Sequence, residues 1–243
     1  MATFRALFFA ALIAGIAAGA VASVIQAGRM WPLIAAAEML EAAAAPYHDH
    51  NAVGPQDGRS AAGPQDDHDA VEPIWSPQGP LRPALTVLFN IVAGLGFGLI
   101  LNALTRLWTL RSGQPFTASD GLLWGAAGFA AFSLAPAFGL PPELPGMVSG
   151  DLIARQVWWI ATGCCTASGI ALLLCSTGSW RSAGIALIAL PHLVGAPQVD
   201  GHGAIPGEMA AAFAAASLGA SAVFWVVLGW VSGWAQQRLI RTG

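Results

Sequence analysis

The sequence contains no lysine; all ten basic residues are arginine. Charge of either sign is scarce, at 9% for Asp, Glu, Lys and Arg together, where an ordinary soluble domain carries roughly a quarter. That deficit excludes a soluble globular enzyme, a disordered chain and a coiled coil. A net charge of -3 leaves no basic footprint for a nucleic acid. The HExxH, GxSxG, Walker and paired-cysteine signatures are missing as well, so no common enzyme class is indicated. Cysteine is nearly absent. The three present, Cys164, Cys165 and Cys175, share one apolar run. On a single helix Cys164 and Cys175 would stand about 16 Å apart, at ~1.5 Å of rise per residue, too far for a disulfide or a shared metal. They read as small apolar filler in a membrane helix.

What the chain does have is apolar surface: 56% of its 243 residues are hydrophobic. The expected fold is all-α, a polytopic helical membrane protein of about six transmembrane helices, with five as the alternative. The first apolar run, Ala6–Ala27, follows Arg5. Its basic start and small residues near Ala20–Ser23 also suit a signal peptide, but it exceeds the usual ~7–15-residue apolar region. It is read as a retained first span, residues 1–27. Gly15 and Gly19 form a GxxxG, the spacing that lets two helices approach closely.

Residues 28–83 are expected to form an extracytoplasmic His/Asp-rich loop, partly disordered, with a helical start over Ile34–Ala45. GPQD occurs twice in it, at Gly54–Asp57 and Gly63–Asp66. Residues 84–243 read as a helical membrane domain. Apolar runs lie at Ala84–Thr105, Gly121–Leu140, Val157–Ser176 and Met209–Trp234, and a shorter one at Ser182–Ala196 is broken by Pro191. The last reads as a kinked span or a re-entrant segment.

With the N-terminus in the cytoplasm, six spans place Arg5, Arg106, Arg111, Arg181, Arg238 and Arg241 inside and the other four Arg outside. The bias is modest and in the positive-inside direction. The Trp residues divide into two interfacial belts, with Trp225 alone set deeper. Of the Asp and Glu residues, only Asp120 falls inside. All five His fall on the outer side.

Three groups of residues suggest chemistry. The loop carries Tyr47-His48-Asp49-His50-Asn51 and Asp66-Asp67-His68-Asp69. Imidazole beside carboxylate suits cobalt, nickel or zinc better than calcium or copper(I). Affinity there should be weak, because a flexible loop must be ordered to bind. The second group is His192 beside Pro191, followed by Asp200, His202 and Glu208. Proline frees a helix carbonyl, and a His at such a break is costly unless it faces a cavity. Within the second span, Asn90 is either a metal ligand or an interhelical hydrogen-bond donor. Gly94, Gly98, Gly229 and Gly233 add two more GxxxG spacings, read as helix contacts.

These residues resemble a known family. Trp75-Ser-Pro with Arg82, Phe89–Gly98, the block Gly121–Gly146, Arg155-Gln-Val-Trp-Trp159 and Pro191–Gln198 are similar to the CbtA family of predicted cobalt transporter subunits. The first helix, with Glu38 and Glu41, is similar too. The resemblance implies cobalt(II) uptake for cobalamin synthesis, beside a small single-span, His-rich CbtB-like subunit. The family is generally described with five spans. The reading is therefore a non-enzymatic, multi-pass protein of a bacterial inner membrane that takes up a divalent transition metal. Cobalt(II) is the expected ion, nickel and zinc stay open, and no organic cofactor is expected. A non-transporting metal-binding or scaffold subunit is the alternative, and a homo-oligomer is an open arrangement. Candidate metal ligands are His192, His202, Asp200, His48, Asp49, His50, Asp67, His68 and Asn90, with Glu143 a weaker one.

Overall fold

A computed structural model describes residues 2–44, 79, 81–197 and 205–241. All described elements are helical. They are α1 (Ala2–Arg29), α2 (Trp31–Ala44), α3 (Leu81–Ser112), α4 (Ala118–Phe129), α5 (Ala135–Ala137), α6 (Leu152–Cys175), α7 (Ser179–Val194) and α8 (Gly207–Arg241). A π turn, Ala130–Leu134, joins α4 to α5 without a break in the helical path.

Among the described residues, four helices are long and apolar enough to cross a membrane: Phe4–Arg29, Leu81–Ser112, Leu152–Cys175 and Gly207–Leu239. The other two apolar runs are helical but differ from an uninterrupted span. The Gly121–Leu140 run is divided by the π turn. Pro136 accounts for it: proline donates no hydrogen bond, and its ring would collide with the carbonyl four residues back. Widening the preceding turn, with the Ala135 N–H donating to the Ala130 carbonyl, accommodates the ring. The Ser182–Ala196 run forms α7, whose 16 residues reach roughly 24 Å at 1.5 Å per residue. That is short of a hydrocarbon core about 30 Å thick. Pro191 lies in the last turn of α7, where it does not break the helix, and Gly195 ends it with φ +88°.

Local chemistry sets the helix starts. The Thr117 hydroxyl accepts from the Asp120 N–H, and the Asp120 carboxylate accepts from the Thr117 N–H at 2.9 Å, a capping box that opens α4. Asp151 caps α6 by accepting from the Ala154 N–H at 2.8 Å.

Glycine sets the helix spacing. α1 and α3 run antiparallel and nearly backbone to backbone: a Cβ placed on Gly15 would lie 2.6 Å from Leu95 N, and one on Gly19 would lie 2.7 Å from the Asn90 carbonyl oxygen. α4 and α8 are also antiparallel, with Gly121 against Gly229 and Gly233 against Thr117. The expected GxxxG contacts therefore form between pairs of helices within the chain. Gly96 differs; it faces open space. The residues Ala10, Ala11, Ala14 and Ala18 give α1 a fully buried stripe, and α1 also packs along α8. α6 and α7 form a third antiparallel pair, with Gly169 against Gly184.

A buried polar clamp joins α3 and α8, which run parallel. The Asn102 side-chain amide donates to Ser232 Oγ at 3.1 Å. Gln236 Nε2 donates to Asn102 Oδ1 at 2.8 Å and to Thr105 Oγ1 at 3.0 Å. All four side chains are at most 2% exposed. They satisfy one another where water is excluded, which is what such groups require.

α2 caps one end of the bundle. Ala37, Leu144 and Phe213 pack there with Met30, Met147 and Met209. The α5–α6 loop, the start of α8 and the end of α7 gather at this same end. Of the described acids, Glu38, Glu41, Glu143, Asp151 and Glu208 lie toward it, and Asp120 lies at the other.

Candidate functional site

Two chambers open beside α5 and α6. The first has a volume of about 630 Å³, within the range of ordinary ligand pockets. Its walls come from the π turn, the Pro141-Pro142-Glu143 loop, the first turns of α6 and the middle of α8. Pro136, Pro141 and Pro142 hold the loop away from a helical path, so that Glu143 faces α6. There Arg155 Nη2 donates to Glu143 Oε2 at 2.6 Å, and Ser149 Oγ donates to the same oxygen at 2.7 Å. The ion pair is mostly shielded, with side-chain exposures of 23% and 22%. Deeper in, Ser217 lines the chamber, roughly 15 Å along α8 at 1.5 Å per residue. Two buried donors on this wall have no partner: Arg155 Nε and the Ser217 hydroxyl. Trp225 Nε1 donates to Ser133 Oγ of the π turn at 3.3 Å, and the Trp225 ring stacks on Phe132. π turns recur at functional sites because they aim side chains that a regular helix would not.

The second chamber, about 680 Å³, lies on the other face of α6. His192 lines it together with Thr166, Trp158, Phe138 and Ile188. The His192 ring meets Phe138 and Trp158 edge to face, at 6.2 and 6.0 Å between centroids. Trp158 Nε1 donates to the Pro191 carbonyl at 3.3 Å, which fixes the end of α7 against α6. The Thr166 hydroxyl is buried without a partner. Because Pro191 has no N–H, the Leu187 carbonyl lacks its helical donor.

Asn90 is part of a different arrangement. Its amide donates to Ser23 Oγ at 3.0 Å and to Gln26 Oε1 at 2.8 Å, and Ser23 in turn donates to the Gly19 carbonyl. These bonds make Asn90 a clamp between α1 and α3. Near it, Arg82 is paired with Glu38 across the gap between α3 and α2. The hydrogen bond from Arg82 holds the Glu38 carboxyl below its ordinary value.

His48, Asp49, His50, Asp67, His68, Asp200 and His202 lie outside the described residues. Among the described residues, no three His, Cys, Asp or Glu side chains come together as a metal cage. Sequence reasoning named Arg155 only within a family motif, not as a site residue, and passed over Ser217. Arg155 had one signal: a cation at the start of an apolar run, twelve residues after a carboxylate in a proline-rich loop. Ser217 had none, being one serine in an Ala-rich helix.

Long apolar helices and glycine-spaced packing define a polytopic helical membrane protein. The model of the family described as "probable cobalt transporter subunit (CbtA)" matches residues 4–237. The chain belongs to that family. No curated protein and no solved structure matches it.

Proposed function

We propose that the chain is the multi-pass part of a system that carries a divalent transition metal, first of all cobalt(II), inward across a bacterial inner membrane to supply cobalamin synthesis. Nickel and zinc are the competing ions. The observation that carries the reading is family membership over nearly the whole chain, joined to two mostly apolar chambers that each present a few polar groups, Glu143 and Arg155 in one and His192 in the other.

The proposed topology has six passes with both termini in the cytoplasm. Helix directions support it. α3 and α8 are parallel, so the chain must return across the bundle between them an odd number of times. α4–α5 makes the first return. If α6 crosses, α7 must cross back. The Arg bias supports placing the α2 end outside.

In this scheme the His48–Asp69 segment concentrates cations at the outer face, by local charge and weak chelation. Metal then passes the chambers. His192 is the first candidate ligand in transit, Glu143 a second, and Asp200 and His202 lie next to His192 in sequence. The inward step draws on the membrane potential, about 2.3 kcal/mol per charge per 100 mV. A small, single-span, His-rich subunit is the proposed partner.

The test is substitution at His192. Gln keeps the size and hydrogen bonding of the ring but is a much poorer ligand for cobalt. His192→Gln should abolish uptake while the protein still inserts and accumulates. A Gln variant with normal uptake removes His192 from the path.

A further inference from the structure

We propose that the Glu143–Arg155 chamber takes the metal as its complex with a small carboxylate chelator, not as the bare ion. This rests on the uptake function proposed above and names the form of its cargo.

The chamber's unmet hydrogen-bonding groups point this way. A guanidinium only donates, so it can never ligate a cation. Arg155 spends Nη2 on Glu143, and its Nε is buried and unpartnered. An oxygen acceptor is what that group needs, and carboxylate is the acceptor whose geometry suits Arg best. The Ser217 hydroxyl, in a residue 9% exposed, is a second buried group without a partner on the same chamber.

Charge leads to the same conclusion. Both bonds to Glu143 arrive at Oε2, leaving Oε1 as the acceptor for a positive centre. A bare dication there would face the guanidinium within a few ångströms. A chelate brings its own anionic oxygens, which can meet Arg155 and Ser217 while the metal faces Glu143. Size agrees as well. Six waters around an ion take roughly 200 Å³ at about 30 Å³ each, and the chamber holds about 630 Å³.

The experiment measures radiolabelled cobalt uptake by cells with and without the full-length chain, at fixed total cobalt, as citrate is added to excess. The expected result is that chain-dependent uptake holds or rises while free cobalt ion falls tenfold or more. Arg155→Gln and Ser217→Ala should each raise the cobalt–citrate concentration at half-maximal uptake about tenfold, the loss of one hydrogen bond to a charged group. Both variants should accumulate in the membrane at normal levels. Uptake that falls in proportion to free cobalt ion overturns the proposal and leaves the uptake function standing. A Ser217→Ala curve identical to the parent's overturns the assignment to this chamber even if Arg155→Gln fails to assemble. Absence of chain-dependent uptake in both arms overturns this proposal and the uptake function together.

Discussion

Gly19→Ala adds one methyl group, and the structure says where that group must go. Its Cβ would lie 2.7 Å from the Asn90 carbonyl oxygen and 2.7 Å from Ile91 Cα. Carbon atoms rest at about 3.5–4.0 Å from one another, so α1 and α3 must part by about 1 Å. Both obstructing atoms belong to backbone, so no side chain can swing aside. Overpacking of this kind costs about 1–3 kcal/mol. The same displacement stretches the Asn90 bonds to Ser23 and Gln26, now 3.0 and 2.8 Å, at roughly 0.6 kcal/mol each for polar contacts between membrane helices. Alanine's better helix propensity returns about 1 kcal/mol. The net loss is about 1–3 kcal/mol. At roughly 2–4 °C per kcal/mol for a chain of this size, the unfolding midpoint should drop by about 2–12 °C. Gly96→Ala is the matched control, on α3 at a position with nothing within 4 Å; it should be neutral or mildly stabilising. Thermal unfolding of the purified protein in detergent, followed by tryptophan fluorescence, reads both. A Gly19→Ala midpoint at or above the parent's, or equal losses from the two variants, would refute the reasoning.

Two further outcomes are expected. Because Arg82 depresses the Glu38 pKa in the folded chain, the pair's stabilisation is complete above the unfolded carboxyl's value near 4.3 and is lost as pH falls through the lower folded value. The unfolding midpoints of the parent and Glu38→Gln should therefore differ at pH 6 to 7, at about two units above that carboxyl value, and converge in stronger acid; a gap that widens on acidification contradicts the pairing. For topology, reporters fused to either terminus should be active only in the cytoplasm, and a C-terminal reporter active only outside would contradict both six passes and the parallel course of α3 and α8.

Most of the helical framework could be read from apolar runs, because a membrane helix needs about 20 such residues in a row. The Ala84–Thr105 run lies inside α3, and the Val157–Ser176 run falls within α6 except for Ser176, its C-cap; each helix extends beyond its run at the start. Small residues at GxxxG spacing also pointed to the contacts, because only glycine allows backbones to touch. Which glycine pairs with which was not legible, since the spacing is the same for Gly94/Gly98 and Gly229/Gly233. The π turn was missed although Pro136 was visible, because proline costs a helix little when a widened turn absorbs it. The chamber was legible only in Glu143. Arg155 and Ser217 acquire meaning through their position across the bundle, where one buried donor has a carboxylate beside it and another has nothing. Pairing of that kind depends on how α5, α6 and α8 pack, and no local pattern encodes it.

Cobalt transport by this chain is tested most directly by uptake. Uptake of radiolabelled cobalt(II) is compared in cells that make the chain with its partner subunit and in cells lacking only the chain, with excess nickel or zinc as competitor. The account predicts saturable uptake that requires the chain, is suppressed most by unlabelled cobalt, and collapses when the membrane potential is dissipated. Equal uptake with and without the chain would contradict it.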